Sequence, residues 1–311
     1  MQENWERQAL TDLLQAGIKE QRRARRWGIF FKIIGFSYLF LLLALVLGWV
    51  GQRNLEQTAR GPHTALVNLD GVIQAGGEGD IGVVAQGLRD AFDDVNTKGV
   101  ILRVNSPGGS PVQSGQLHDE MLRLRKAHPA IPLYVVVEDI CASGCYYTAV
   151  AANSIYADKA SIVGSIGVLM DGFGFTDTMS KLGVERRLLT AGKNKGFLDP
   201  FSPLNDTQRA KAQEMLDEIH AQFINVVKEG RGKRLVDDPE LFSGLVWSGE
   251  KSVKLGLVDG LGSVGSVARD VVKAEDVVDF TPQPDYLDRL AKRMGIAAAS
   301  TLGSRLDLQL R

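Results

Sequence analysis

Apolar and polar positions split this chain into one unbroken apolar run and a long alternation of shorter ones. Ile33 to Val50, IIGFSYLFLLLALVLGWV, holds no charged residue over a length able to cross about 30 Å of hydrocarbon as a helix. Residues 51–63 are polar, carry Gly and Pro, and read as a linker. Beyond it, TALVNLDGVI (64–73) has a strand pattern, GVVAQGLRDAFDD (82–94) a helical one, and GVILRVN (99–105) that of a buried strand. PVQSGQLHDEMLRLRKAH (111–128) is a predicted helix with Leu117, Met121 and Leu124 on one face. IPLYVVVED (131–139) is another continuous apolar strand, SGCYYTAVAAN (143–153) a small-residue helix and SIYAD (154–158) a strand. A glycine-broken run, SIVGSIGVLM (161–170), follows.

Further on, FGFTDTMSKLG (173–183) looks helical and VERRLLT (184–190) strand-like. Thr207 to Arg231 is the longest amphipathic helix, with Asp206 or Thr207 as its N-cap. Strand and helix alternate at parallel-sheet spacing, so the fold class is α/β. The expected organisation is a basic segment at 1–32, a membrane helix at 33–50, a linker at 51–63, a folded domain at 64–275 and a tail at 276–311.

Charge adds direction. Lys19, Arg22, Arg23, Arg25, Arg26 and Lys32 precede the apolar run, and only Arg53 and Arg60 follow it closely. The positive-inside rule then leaves the N-terminus in the cytoplasm and the domain outside. A cleaved signal peptide fits less well, because the n-region is too long and no A-x-A site follows. The chain has 36 Lys and Arg against 37 Asp and Glu in 311 residues, a balance that argues against nucleic acid as a partner. Cys141 and Cys145, four apart, are expected to be free, packed residues, since a single helical or turn-like stretch would aim them poorly for a bridge.

Candidate chemistry gathers at two strand ends. In DICASGCYYTAV, Ser143 follows a buried strand and opens a small-residue helix, a place suited to a nucleophile or simply to an N-cap. NSPGGSPV, Asn105 to Val112, also follows a buried strand, and its paired glycines can turn with exposed N–H groups. In an open α/β sheet two such loops can face one crevice. None of the four histidines, His63, His118, His128 and His220, occupies a triad-like context, and no G-x-S-x-G elbow is present. A lysine is the alternative base. At a pKa of about 10.4 only roughly one lysine in 2,500 is neutral at pH 7, and lowering that pKa by about 3 costs near 4 kcal/mol, which demands an apolar pocket. TAGKNKGFLDPFSP (190–203) offers Lys193 and Lys195, and composition does not choose between them.

The set NSPGG, ASG-x-YY, VGSIGV (163–168), KLGV (181–184), the lysine loop and SGEKSVKLGLVDGLG (248–262) resembles the Ser-Lys signal peptide peptidases, the signal peptide peptidase A or protease IV family, in its short form. The resemblance spans about residues 64–273, in family order. It implies a crotonase- or Clp-like α/β fold of repeated β-β-α units, with Ser143 as nucleophile, Lys195 as general base and Ser165 orienting the lysine. Backbone N–H groups of Gly109, with Gly108 or Gly144, would form the oxyanion hole, with neither metal nor cofactor. It further implies a ring of identical subunits, an octamer, whose dyad is shared between neighbours, acting on signal-peptide remnants at the outer face of the bacterial inner membrane. The family's common ASGGYY is here ASGCYY. A crotonase-type acyl-CoA enzyme and a non-catalytic membrane scaffold of the same fold are the competing functions.

Overall fold

The computed structural model describes residues 17–44, 61–77 and 79–282. These fall into two units, divided between Gly61 and Pro62. In the first, α1 (Gly17–Ala44) is long and apolar enough to cross a membrane, with a mean hydropathy of 1.9 over its most apolar window. It begins well before the apolar run, so Lys19 to Arg26 lie on the helix; residues 45–50 of the expected span lie outside the described residues.

The second unit is built on an eight-stranded sheet. Its strands are β1 (His63–Asp70), β2 (Thr97–Ser106), β3 (Leu133–Ala142), β4 (Ser154–Ala157), β5 (Ile162–Gly164), β6 (Val246–Ser248), β7 (Gly260–Leu261) and β8 (Val277–Asp279). The main path runs β6-β5-β3-β2-β1-β8, with β4 between β3 and β7. Every pairing is parallel except that of β5 with β6. Parallel strands covered on both faces read as continuous apolar runs, and Val100, Ile101, Leu102 and Val104 of β2 are buried together. His63, placed by composition in the linker, instead opens β1 with its ring buried.

Helices α2 (Ile81–Asp93) and α3 (Pro111–Ala127) return the chain between strands. Leu117, Met121 and Leu124 of α3 are buried on one face, as its period requires. Asp80 caps α2 by accepting from Gly82 N–H, and Ser110 caps α3 from just ahead of Pro111.

The parallel strands do not end where the regular ladder does. Val104 pairs with Val137, but Ser106 pairs with Cys141, so β3 carries extra residues between these points. Past that break a second, short set of contacts begins: Ile73 with Gly109, Ser106 with Cys141, and Cys141 with Val163. Long strand, short continuation, helix is the β-β-α unit expected for this chain. Strand β3 therefore meets β4 along Tyr134–Val137 and β5 along Ile140–Ala142.

Past β5 come α5 (Thr176–Lys181), α6 (Asp206–Arg231) and α7 (Gly249–Leu255). Two expectations change here. VERRLLT forms no strand: a strand needs a neighbour for its N–H and C=O groups, and this exposed stretch has none among the described residues. The N-cap of α6 is Asn205, whose side chain accepts from Gln208 N–H at 3.1 Å, one residue before the expected choices. At the other end of α6, buried Arg231 donates Nη1 and Nη2 to the Asp259 carboxylate at 2.9 and 3.0 Å and Nε to the Gly256 carbonyl. Burial pushes the Asp259 carboxyl up, but the guanidinium and the Ile155 N–H outweigh it and hold the carboxyl below its usual range.

Candidate active site

Ser143 sits between the end of β3 and α4 (Gly144–Ala149), at φ 54 and ψ −124. An L-residue adopts such a conformation at a cost of about 1–3 kcal/mol, sustained only when the surroundings hold it. Here they do: Ser143 N–H donates to Gly164 O at 2.9 Å, and Ser143 O accepts from Tyr147 N–H at 3.0 Å. The hydroxyl makes no side-chain cap bond to α4. An N-cap serine has β-region backbone and a bonded oxygen; Ser143 has neither, so capping does not explain it.

The turn has a close neighbour in the NSPGG loop. Gly108 is at φ 97, and a Cβ on it would lie 2.7 Å from both Ala142 O and Gly144 N and 2.9 Å from Ser143 Cβ. Only glycine fits there. A Cβ on Gly109 would collide with the Ile73 backbone, and one on Gly144 with Ser114 Oγ. Of the three candidate oxyanion donors, Gly108 N–H is already bonded to buried Ser106 Oγ at 3.1 Å, which removes it from the set. The N–H groups of Gly109 and Gly144 carry no hydrogen bond among the described residues, and Gly109 N lies 3.3 Å from where a Gly144 Cβ would be. Two unspent donors thus flank the Ser143 turn.

Ser165 lies one residue past the Ala142–Gly164 pair that ends β5's contact with β3. It too has positive φ, 52, and its N–H donates to Leu245 O at 2.7 Å. The strand register therefore brings Ser143 and Ser165 out at the same level of the sheet. Both are half-buried. His220 Nε2 lies 3.2 Å from Ile166 O, His118 meets Asp119 and Tyr147, and His128 lies near Asp93. His63 stands at the opposite, N-terminal end of β1, and among the described residues no hydrogen bond joins a histidine to Ser143.

Among the described residues, no hydrogen bond joins Lys195 to Ser143 or Ser165 within the chain. Lys195 stands exposed in the segment between β5 and α6, and among the described residues no hydrogen bond or ion pair engages its ammonium group. This segment is held by local contacts: Phe175 stacks on Phe201, and Arg186 lies over the Phe201 ring and pairs with Asp199 at 3.1 Å. Leu169 (79% exposed), Phe173, Leu182 and Leu189 (97% exposed) are left facing outward.

The cysteines require the plainest correction. Cys141 and Cys145 form a disulfide, with Cα atoms 5.2 Å apart. They do not share one helical stretch: Cys141 ends a strand, Cys145 begins a helix, and the positive-φ turn at Ser143 folds one back over the other, within bridging range.

Residues 125–278 match the model of peptidase family S49. The chain belongs to that family. An S49 relative from Enterococcus faecium, named a putative signal peptide peptidase SppA, is 29% identical over 240 residues, covering 75% of this chain and 69% of its own length. Two Brucella proteins named Na(+)/H(+) antiporter NhaA are 43% identical over 272 residues, 83% of this chain but 36% of theirs; the chain spans about a third of the length of these relatives. Haemophilus influenzae protease 4 is 33% identical over 223 residues, 69% of this chain and 35% of its own length.

Within this S49 chain, the residues that sequence reading passed over are the ones that hold the turn. Ser106 and Ser114 are fully buried hydroxyls beside Gly108 and Gly144. Thr148 Oγ1 bonds the Gly144 and Ser114 carbonyls. Their spacing follows neither helix nor strand period, and the register break in β3 that aligns Ser106 with Cys141 leaves no mark in hydropathy.

Proposed function

We propose that this chain is a membrane-anchored serine endopeptidase in which Ser143 is the nucleophile and Lys195, from a second copy of the chain, is the general base. The carrying observation is the Ser143 turn: a strained serine with no cap bond, flanked by the unspent N–H groups of Gly109 and Gly144. Attack by Ser143 Oγ on a peptide carbonyl places negative charge on the carbonyl oxygen, which those two N–H groups can meet. The lysine takes the serine proton and returns it to the leaving amine; water then opens the acyl-enzyme. Ser165, level with Ser143, orients the lysine amine.

A base from another copy reconciles two facts. A lysine works as a base only when desolvated, and Lys195 stands exposed on its own chain, in a segment whose apolar side chains face outward. Packing that segment against a neighbour would bury the apolar surface and seat the lysine together. A closed ring, an octamer by resemblance, gives every site such a neighbour. The substrates on this reading are apolar signal-peptide remnants, laid in extended form at strand edges beside the site. The name of the E. faecium relative points the same way.

The compartment has two supports. The basic residues ahead of the apolar run put the N-terminus in the cytoplasm, and the Cys141–Cys145 disulfide suits an oxidising compartment such as the periplasm. The proposed anchor stays at 33–50, but the expected linker at 51–63, domain at 64–275 and tail at 276–311 need two corrections: His63 opens β1, and β8 (Val277–Asp279) pairs with β1 in the same sheet, so the proposed peptidase domain runs from His63 at least through Asp279. An acyl-CoA enzyme would have its domain in the cytoplasm, against both supports.

The test is complementation. Ser143→Ala and Lys195→Ala chains are each inactive alone on a synthetic signal peptide. Co-assembled, they recover part of the activity if serine and lysine meet across copies. No recovery in a verified mixed assembly, with both variants folded, rules out the shared dyad.

A further inference from the structure

The bridge between Cys141 and Cys145 encloses Ser143, with one residue on either side of the serine before each half-cystine. Both half-cystines are fully buried in the main core, beside Val163 and Tyr146. Cys141 is also the residue through which β3 pairs with both Ser106 of β2 and Val163 of β5. The disulfide therefore ties the first turn of α4 to the one strand position where the NSPGG loop, the serine turn and the Ser165 strand meet. Two hydrogen bonds hold the Ser143 backbone from outside the turn; the bridge closes it covalently from inside.

We infer that the Cys141–Cys145 disulfide is a positioning element for Ser143, so that the peptidase is fully active only with the bridge closed. This rests on the proposal that Ser143 is the nucleophile. With the bridge open, Ser143 keeps its two backbone bonds but loses the covalent link holding α4 against β3, and relaxes from positive φ towards ordinary backbone. Its oxygen then departs from the Gly109 and Gly144 donors. A displacement of this order lowers the rate of the chemical step about tenfold, roughly 1.4 kcal/mol, and leaves substrate affinity nearly unchanged.

Opening requires a dithiol reductant. One thiolate of the reagent attacks a cysteine sulfur, the S–S bond breaks, and its electron pair leaves on the other cysteine, which takes a proton. The reagent's second thiolate displaces the first cysteine from the mixed disulfide, giving two protein thiols and one oxidised reagent. Burial makes access slow, so the reaction is followed to completion by mass.

The experiment uses the full, detergent-solubilised chain after graded dithiothreitol treatment. Thiols are counted by alkylation and mass, the rate of fluorophosphonate labelling is read at Ser143, and kcat and KM are measured on a synthetic signal peptide. The expected result is a labelling rate and kcat that fall about tenfold in step with bridge opening, a steady KM, and recovery on reoxidation. A Cys141→Ala/Cys145→Ala variant should match the reduced protein; if it does not fold, the reduction series decides. Unchanged labelling with the bridge fully open overturns the inference while leaving Ser143 as nucleophile. Loss of rate that tracks loss of the unfolding transition also overturns it, since the bridge would then hold the fold and not the serine. Absence of labelling even with the bridge closed overturns both proposals.

Discussion

Replacing Gly108 with alanine perturbs the site at its tightest point. Two costs add. At φ 97 an L-side chain carries about 1–2 kcal/mol of backbone strain. The new Cβ would also stand 2.7 Å from the Ala142 carbonyl and the Gly144 nitrogen, all backbone that must move, an overpacking cost of about 1–3 kcal/mol. Gly183→Ala isolates the first cost, because Gly183 has φ 70 and nothing within 4 Å of its added Cβ. Gly183→Ala should therefore lower the unfolding free energy in urea by about 1–2 kcal/mol, and Gly108→Ala by about 2–5 kcal/mol. Because relief requires moving Ser143 and Gly144 away from Gly109, fluorophosphonate labelling of Gly108→Ala should slow by about a hundredfold, near 2.7 kcal/mol, while Gly183→Ala labels normally. Equal unfolding shifts, or wild-type labelling of folded Gly108→Ala, would refute the close packing of the two loops.

Two other expectations concern the scaffold. Arg231→Met leaves the Asp259 carboxylate with exposed Arg234 as its one cationic partner among the described residues and should cost about 3–5 kcal/mol in urea unfolding; a loss below about 1 kcal/mol would mean the pair is dispensable. Glu120 is held at about 2, first by its hydrogen bond from Arg123 and then by Arg89, against its ordinary 4.5. Since the folded value is the lower one, this carboxylate contributes stability in full above pH 4.5 and loses it as pH falls towards 2. Glu120→Gln should flatten the acid limb of the urea midpoint over that window, and an unchanged limb would contradict the assignment.

The sheet was legible in the sequence because parallel strands covered on both faces are continuous apolar runs, as GVILRVN and IPLYVVVED are. The α3 face was legible because Leu117, Met121 and Leu124 keep helical period. What pattern could not show depends on contacts remote in sequence. The strand reading of VERRLLT rests on residues that have apolar character but no partner strand among the described residues. The disulfide was missed because a separation of four was read as one continuous stretch, whereas a strand end, a left-handed serine and a helix start lie within it. The glycines were seen, but which N–H was free depended on Ser106, a buried hydroxyl with no motif of its own. The choice of Lys195 over Lys193 came from family resemblance, and since both lysines are exposed within one chain, burial does not choose between them either.

The central claim is that Ser143 is the nucleophile and Lys195 its base. Its most direct test is mass mapping of the fluorophosphonate adduct on the assembled, solubilised chain. The account predicts a single adduct on Ser143, abolished by Lys195→Ala and retained by Lys193→Ala. An adduct on another residue, or Ser143 labelling that survives Lys195→Ala undiminished, would contradict it.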